Sequence, residues 1–287
     1  MMVEGGTISP LEREEYVEQT HFFSVLGDRL KENHPAQEVL ATVREEVLAT
    51  TKLPMAIDFL LSELRHQGAF AGGMKLLSHY FSPFQCYVIS EAENDRRRFD
   101  LRIGLEILAQ EARYRTEAKL SRQGLFMYQF EALCRNRLSY DLGLEAMAGD
   151  GSYDETWRDW ILTVRRQLGI VELADLIYVR SEYYREKQAF LAGEKDSDLG
   201  QVLFGRREGR IAWANRSKDP LLLFAAMQRH LDYPQVPRTK QADPEERLLP
   251  ALARRVEQLE SRLKLVEEEQ RGGVDLDRFY APDRDKA

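Results

Sequence analysis

The chain has 287 residues, 43% hydrophobic and 31% charged, a composition that excludes an intrinsically disordered protein and supplies apolar material for one large core or two ordinary ones. A formal net charge of −7 argues against nucleic acid as a bulk partner, and the longest apolar runs, such as LLLFAAM at 221–227, are far too short to span a bilayer. The two cysteines, Cys86 and Cys134, exclude a disulfide framework and a cysteine-based zinc site.

The opening stretch MMVEGGTISPLEREEYVEQ has no basic segment followed by an apolar one, so no secretory signal is expected and a reduced, cytoplasmic setting is the default. Ser9-Pro10-Leu11-Glu12 forms a capping box with proline at the first helical position. Helical periodicity follows over roughly 10–32, 36–50, 54–67, 71–81, 84–118 with a break, 122–148, 153–168 and 170–192. In the first of these, Tyr16, Phe23 and Leu30 mark the apolar face, which puts Glu18 and His21 on the far side. In the third, Ile57, Leu60, Leu61 and Leu64 make a stripe, with His66 opposite; in the seventh, Trp157, Trp160, Ile161 and Val164 do so. Ser152-x-x-Glu155 predicts a further capping box, and Asp219-Pro220 opens a late helix.

Strand-like alternation is nearly absent. The exception is LFGRREGRIAWANR at 203–216, where glycines bracket short apolar pieces and a hairpin or irregular arm is expected. The fold class is therefore all-α. A multi-helix bundle over 9–192 is the main expectation and a short α-solenoid the alternative, since two helix–turn–helix units occur but no third falls at a period of about 34 residues. An Arg-rich arm at 193–242 follows, carrying the irregular or hairpin segment and one helix. A coiled-coil helix at 243–271 and a flexible tail at 272–287 complete the order.

The coiled-coil helix carries the most specific pattern in the chain. Leu249, Leu252, Val256, Leu259, Leu263 and Val266 alternate in steps of three and four, a heptad seam with Leu249, Val256 and Leu263 at the a positions. Arg255 and Arg262 occupy g, and Glu260 and Glu267 occupy e of the following heptad. Those positions meet across two parallel, in-register chains, and each meeting is Arg with Glu. A helix docked on its own domain does not need that charge match, so a homo-oligomer, dimer or trimer, is expected.

Two Glu-x-x-His pairs, Glu18/His21 and Glu63/His66, have the spacing with which di-iron and di-manganese bundles present a carboxylate and an imidazole from one helix face. Their placement opposite the apolar stripes argues against that use. So does the ligand order, because the helix between them offers only Glu38, Glu45 or Glu46. Arginine clusters at 206–210, where Arg206, Arg207, Arg210, Arg216 and Lys218 have only Glu208 as a local counter-charge and Trp213 beside them, a set able to hold anions or stack on a base. No Gly-x-Ser-x-Gly, phosphate loop, dinucleotide glycine fingerprint or His-Glu-x-x-His is present. The expectation is a non-enzymatic, self-associating scaffold or adaptor that binds other proteins, without cofactor and without a membrane span. A di-metal carboxylate oxidoreductase or metal-storage bundle is one alternative, and a nucleic-acid or phosphate binder acting through 203–218 is the other.

Overall fold

The computed structural model describes residues 11–32, 34–94, 99–192 and 200–238. Thirteen helices occur among them: α1 (Arg13–Lys31), α2 (Ala36–Glu46), α3 (Leu53–Gln67), α4 (Phe70–Leu76), α5 (Pro83–Ala92), α6 (Leu101–Thr116), α7 (Arg122–Arg135), α8 (Tyr140–Ala148), α9 (Glu155–Gln167), α10 (Leu173–Val179), α11 (Glu182–Ala192), α12 (Arg206–Ala214) and α13 (Pro220–Leu231). Among the described residues no helix is long and apolar enough to cross a membrane. The heptad seam and the tail lie outside the described residues.

Local chemistry explains where these helices begin. Ser82 accepts from the backbone N–H of Gln85 while Gln85 returns a bond to the N–H of Ser82, and Pro83 takes the first helical position of α5. Asp100, Ser121 and Asp219 cap α6, α7 and α13 with one side-chain acceptor each, and Pro220 opens α13. The cap of α9 lies two residues later than the sequence suggests. Asp154, not Ser152, accepts from Trp157 N–H, because the Ser152 hydroxyl is engaged by Arg115. The long periodic stretches at 84–118, 122–148 and 170–192 are each two helices.

One apolar core runs from Phe22 to Val236. Its architecture is a bundle rather than a solenoid, in which each unit would meet only its neighbours along the chain. Here α1 lies along α6, α5 meets both α6 and α8, and α7 meets α13. The tryptophan stripe of α9 is buried as expected and closes on Phe126 and Phe204.

The hairpin expected at 203–216 is corrected: the segment is the helix α12, preceded by a single bridge between Ser181 and Phe204. Its glycines are not turn glycines. Gly205 supplies the extended residue before the first turn, and Gly209 faces inward, where a Cβ would fall 2.2 Å from Ser181 Oγ. Together, Gly209 and Ala212 make a small-residue face that lets α12 approach α10 and α11 closely. The helix belongs to the same compact unit as the rest of the bundle.

The inward face of α1 also differs from expectation. It is lined by Glu15, Glu18, Gln19, Phe22, Phe23 and Leu26, whereas Tyr16 and Leu30 are only half-buried. Glu15 Oε1 accepts from Lys52 N–H at 2.8 Å, and Glu18 Oε2 accepts from Leu48 N–H at 2.9 Å. The two carboxylates thus satisfy backbone donors in the turn before α3 and at its N-terminus, where a negative charge is favoured.

Candidate functional site

Three features hold the polar chemistry of the bundle: a buried charge network, an apolar cleft and a basic groove. The network centres on Arg115, on α6, whose side chain is 3% exposed. Its Nη2 donates to Glu111 Oε1 at 2.8 Å and to Asp150 Oδ2 at 2.5 Å, and its Nη1 donates to Ser152 Oγ at 2.6 Å. Gln129 donates to Glu111 at 2.7 Å, and Tyr153 donates to Gln129 at 2.9 Å. Gln85 bridges Gln19, on α1, and the second oxygen of Glu111. The cavity that Arg115 lines against this network holds about 20 Å³, room for a single water and not for a substrate. The network ties α1, α5, α6, α7 and the α8–α9 turn together; it is a structural device.

Burial alone would push the Asp150 carboxyl up, but the charge and hydrogen bonds of Arg115, with the bonds from Ser152, outweigh it and hold Asp150 below the usual aspartate range. A carboxyl depressed in the folded state stabilises the protein above its unfolded value, about 3.9, and loses that contribution as pH falls through the folded value. The urea midpoint of Asp150→Asn should therefore lie well below that of the parent at pH 7, and the gap should close as pH drops below about 4. A gap that stays constant down to pH 2.5 would contradict the assignment.

The sequence-predicted metal residues are not brought together. Glu18 is buried and bonded to Leu48 N–H, while His21 lies on the surface 3.6 Å from Glu46. Glu63 is half-buried and His66 is exposed in the last turn of α3, while Met55 is exposed in its first turn. Among the described residues no three His, Cys, Asp or Glu side chains gather closely enough to hold a metal ion.

The cleft lies between α7, the start of α8, the turn before α10 and the start of α13. It encloses about 380 Å³ and is lined by Phe130, Tyr140, Ile170, Leu173, Leu223 and Phe224. Gly169, with φ 93°, turns the chain so that Ile170 stands 86% exposed at its mouth. Leu221 and Leu222, in the first turn of α13 next to the cleft residues Pro220 and Leu223, are exposed as well. Burial pushes the Cys134 thiol up to about 12, and burial with the neighbouring Cys134 pushes the Tyr140 hydroxyl up to about 12. Neither is a nucleophile or base at neutral pH. Glu172, the carboxylate of the cleft, is bound to Ser217 N–H at 2.7 Å. The chemistry here is that of binding.

The groove is lined by residues of α11, α12 and α13 and adjoins the cleft at Asn215, which lines both concavities. Arg207, Arg210, Ile211 and Ala214 recur at helical spacing along α12, and face Ala226 and His230 of α13 across an opening of about 620 Å³. The four arginines expected to hold anions divide here. Arg206 is ion-paired with Glu186 at 3.0 Å and Arg216 with Asp175. Arg207 and Arg210 are exposed and have no carboxylate partner among the described residues. Trp213 is 39% exposed, and its ring already lies under Lys187 Nζ at 3.9 Å and the Arg216 guanidinium at 4.4 Å, with Tyr178 at 4.7 Å. Those neighbours weigh against a base stacking on it.

The cleft residues escaped the sequence reading because they come from four separate elements. The one local signal was LGIVEL at 168–173, a β-branched pair directly after a glycine, in which a loop carries apolar side chains with no helix to bury them. No protein-family model matches the chain, and no curated protein or solved structure matches it.

Proposed function

We propose that the chain is a non-enzymatic, self-associating adaptor that holds a bulky apolar side chain of a partner protein in the cleft between α7 and α13. The observation that carries the reading is the apolar cleft with Ile170 exposed at its mouth, beside the exposed Leu221 and Leu222 in the first turn of α13. A pocket for a small molecule buries most of its ligand within its walls. Apolar surface that spills past the rim instead fits a protein partner, whose anchor enters the cavity while its flanks cover the rim. The raised Cys134 and Tyr140 values support binding over catalysis. Self-association through the heptad seam then multiplies the number of clefts presented together and raises their effective concentration.

Selection of a displayed random-peptide library on the full chain tests this. Peptides sharing a Trp, Phe or Leu anchor should be enriched on the parent protein and lost on Ile170→Asp. That substitution changes a fully solvated position and should leave the melting temperature unchanged. No enrichment, or enrichment equal on both proteins, would remove the cleft from the reading.

A further inference from the structure

We infer that the partner segment bound at the cleft is acidic, with carboxylates flanking its apolar anchor and seated on Arg207 and Arg210. This rests on the adaptor reading and names the chemistry of its partner. The two guanidiniums stand one helical turn apart on a single face of α12, an arrangement suited to two carboxylates of one extended or helical segment. Among the described residues, the nearby carboxylates are engaged elsewhere. Glu208 is bonded to His230 at 3.0 Å, Glu186 is taken by Arg206, and Asp175 by Arg216. Lys187 adds positive charge from α11, over Trp213.

The chain as a whole carries −7, so most of its surface repels an acidic segment, and a local cationic groove beside the cleft gives such a partner one favoured register. Asn215 lines both concavities, so the anchor and its acidic flank are read in two adjoining hollows. An oligonucleotide is the other anionic ligand a basic groove can take. The cations and the tyrosine already placed about Trp213 leave it without the stacking platform that single strands use.

The test uses the peptides enriched on the parent protein, fluorescently labelled, and the same peptides with Asp and Glu replaced by Asn and Gln. The enriched set should be rich in Asp and Glu. Amide replacement and Arg207→Gln/Arg210→Gln should each weaken binding about tenfold at low salt, and much less at high salt. The two changes together should be no worse than either alone, because they remove the same contacts. Enriched peptides without carboxylates, or affinity unaffected by the double substitution, would overturn the inference while leaving the cleft reading in place. Loss of all enrichment on Ile170→Asp with the acidic preference intact supports both. Binding of oligo(dT), sensitive to Arg207→Gln/Arg210→Gln and tighter than that of any peptide, would assign the groove to nucleic acid and overturn the inference.

Discussion

Replacing Arg115 with methionine should lower the stability of the bundle by about 3–5 kcal/mol, the cost of removing one partner from a buried ion pair and leaving the other uncompensated. The expectation sits at the upper end of that range because two carboxylates depend on the one guanidinium. Glu111 and Asp150 are both buried, and Arg115 Nη2 serves both. Methionine fills much of the same volume, so the loss is electrostatic rather than a cavity effect. Glu111→Gln provides the contrast. It removes the excess negative charge of the triad while keeping an acceptor for Arg115 and Gln129, and should cost no more than about 1–2 kcal/mol. Chemical denaturation of both variants at pH 7 separates the two cases. Near-equal losses would mean that the network is held by hydrogen bonding alone and that its charge imbalance is not felt.

The location of that network shows which parts of the fold were legible in the sequence. Helices with apolar stripes were, because Ile57, Leu60 and Leu64, or Trp157, Trp160, Ile161 and Val164, report burial directly through their spacing. A cap was legible where the capping side chain had no competing partner, as at Asp219; the Ser82 box was not read from the sequence. Ser152 misled because a distant arginine claimed its hydroxyl. The α1 face misled for a related reason: Glu15, Glu18 and Gln19 are inside because backbone N–H groups at Leu48 and Lys52, the Tyr80 hydroxyl and the Gln85 amide donate to their oxygens. Periodicity read from apolar residues alone cannot anticipate a buried polar stripe whose partners lie tens of residues away.

Segment 203–216 failed on its glycines. A glycine that marks a turn and a glycine that admits a neighbouring helix have the same letter, and only the packing of Gly209 against Ser181, where a Cβ would clash, tells them apart. That correction matters for function. As a helix, α12 lines up Arg207 and Arg210 on one face, whereas alternation along a strand would have put them on opposite faces. The anion-binding expectation thus loses Arg206 and Arg216 to ion pairs and narrows to two residues, placed next to a cleft whose one local sequence signal was the LGIVEL loop.

Placing aspartate at both Leu259 and Leu263 should dissociate the assembly and leave a particle of 33.3 kDa in light scattering. The two positions are consecutive d and a sites of the seam, and a parallel dimer would bring four carboxylates together in its apolar core. Each charge must be desolvated next to others of the same sign, and a seam of about three heptads has no stability to spare. The same spacing also specifies geometry. Reversing Arg255 and Arg262 to glutamate should weaken self-association through the g-to-e contacts with Glu260 and Glu267, and reversing those two glutamates to arginine in a second copy should restore a mixed pair. An unchanged mass for Leu259→Asp/Leu263→Asp would place any self-association on the helical body and withdraw the multivalent part of the adaptor reading. A dissociated variant that still selects acidic, aromatic-anchored peptides, but releases an immobilised bivalent peptide faster, would locate binding in the bundle and avidity in the seam.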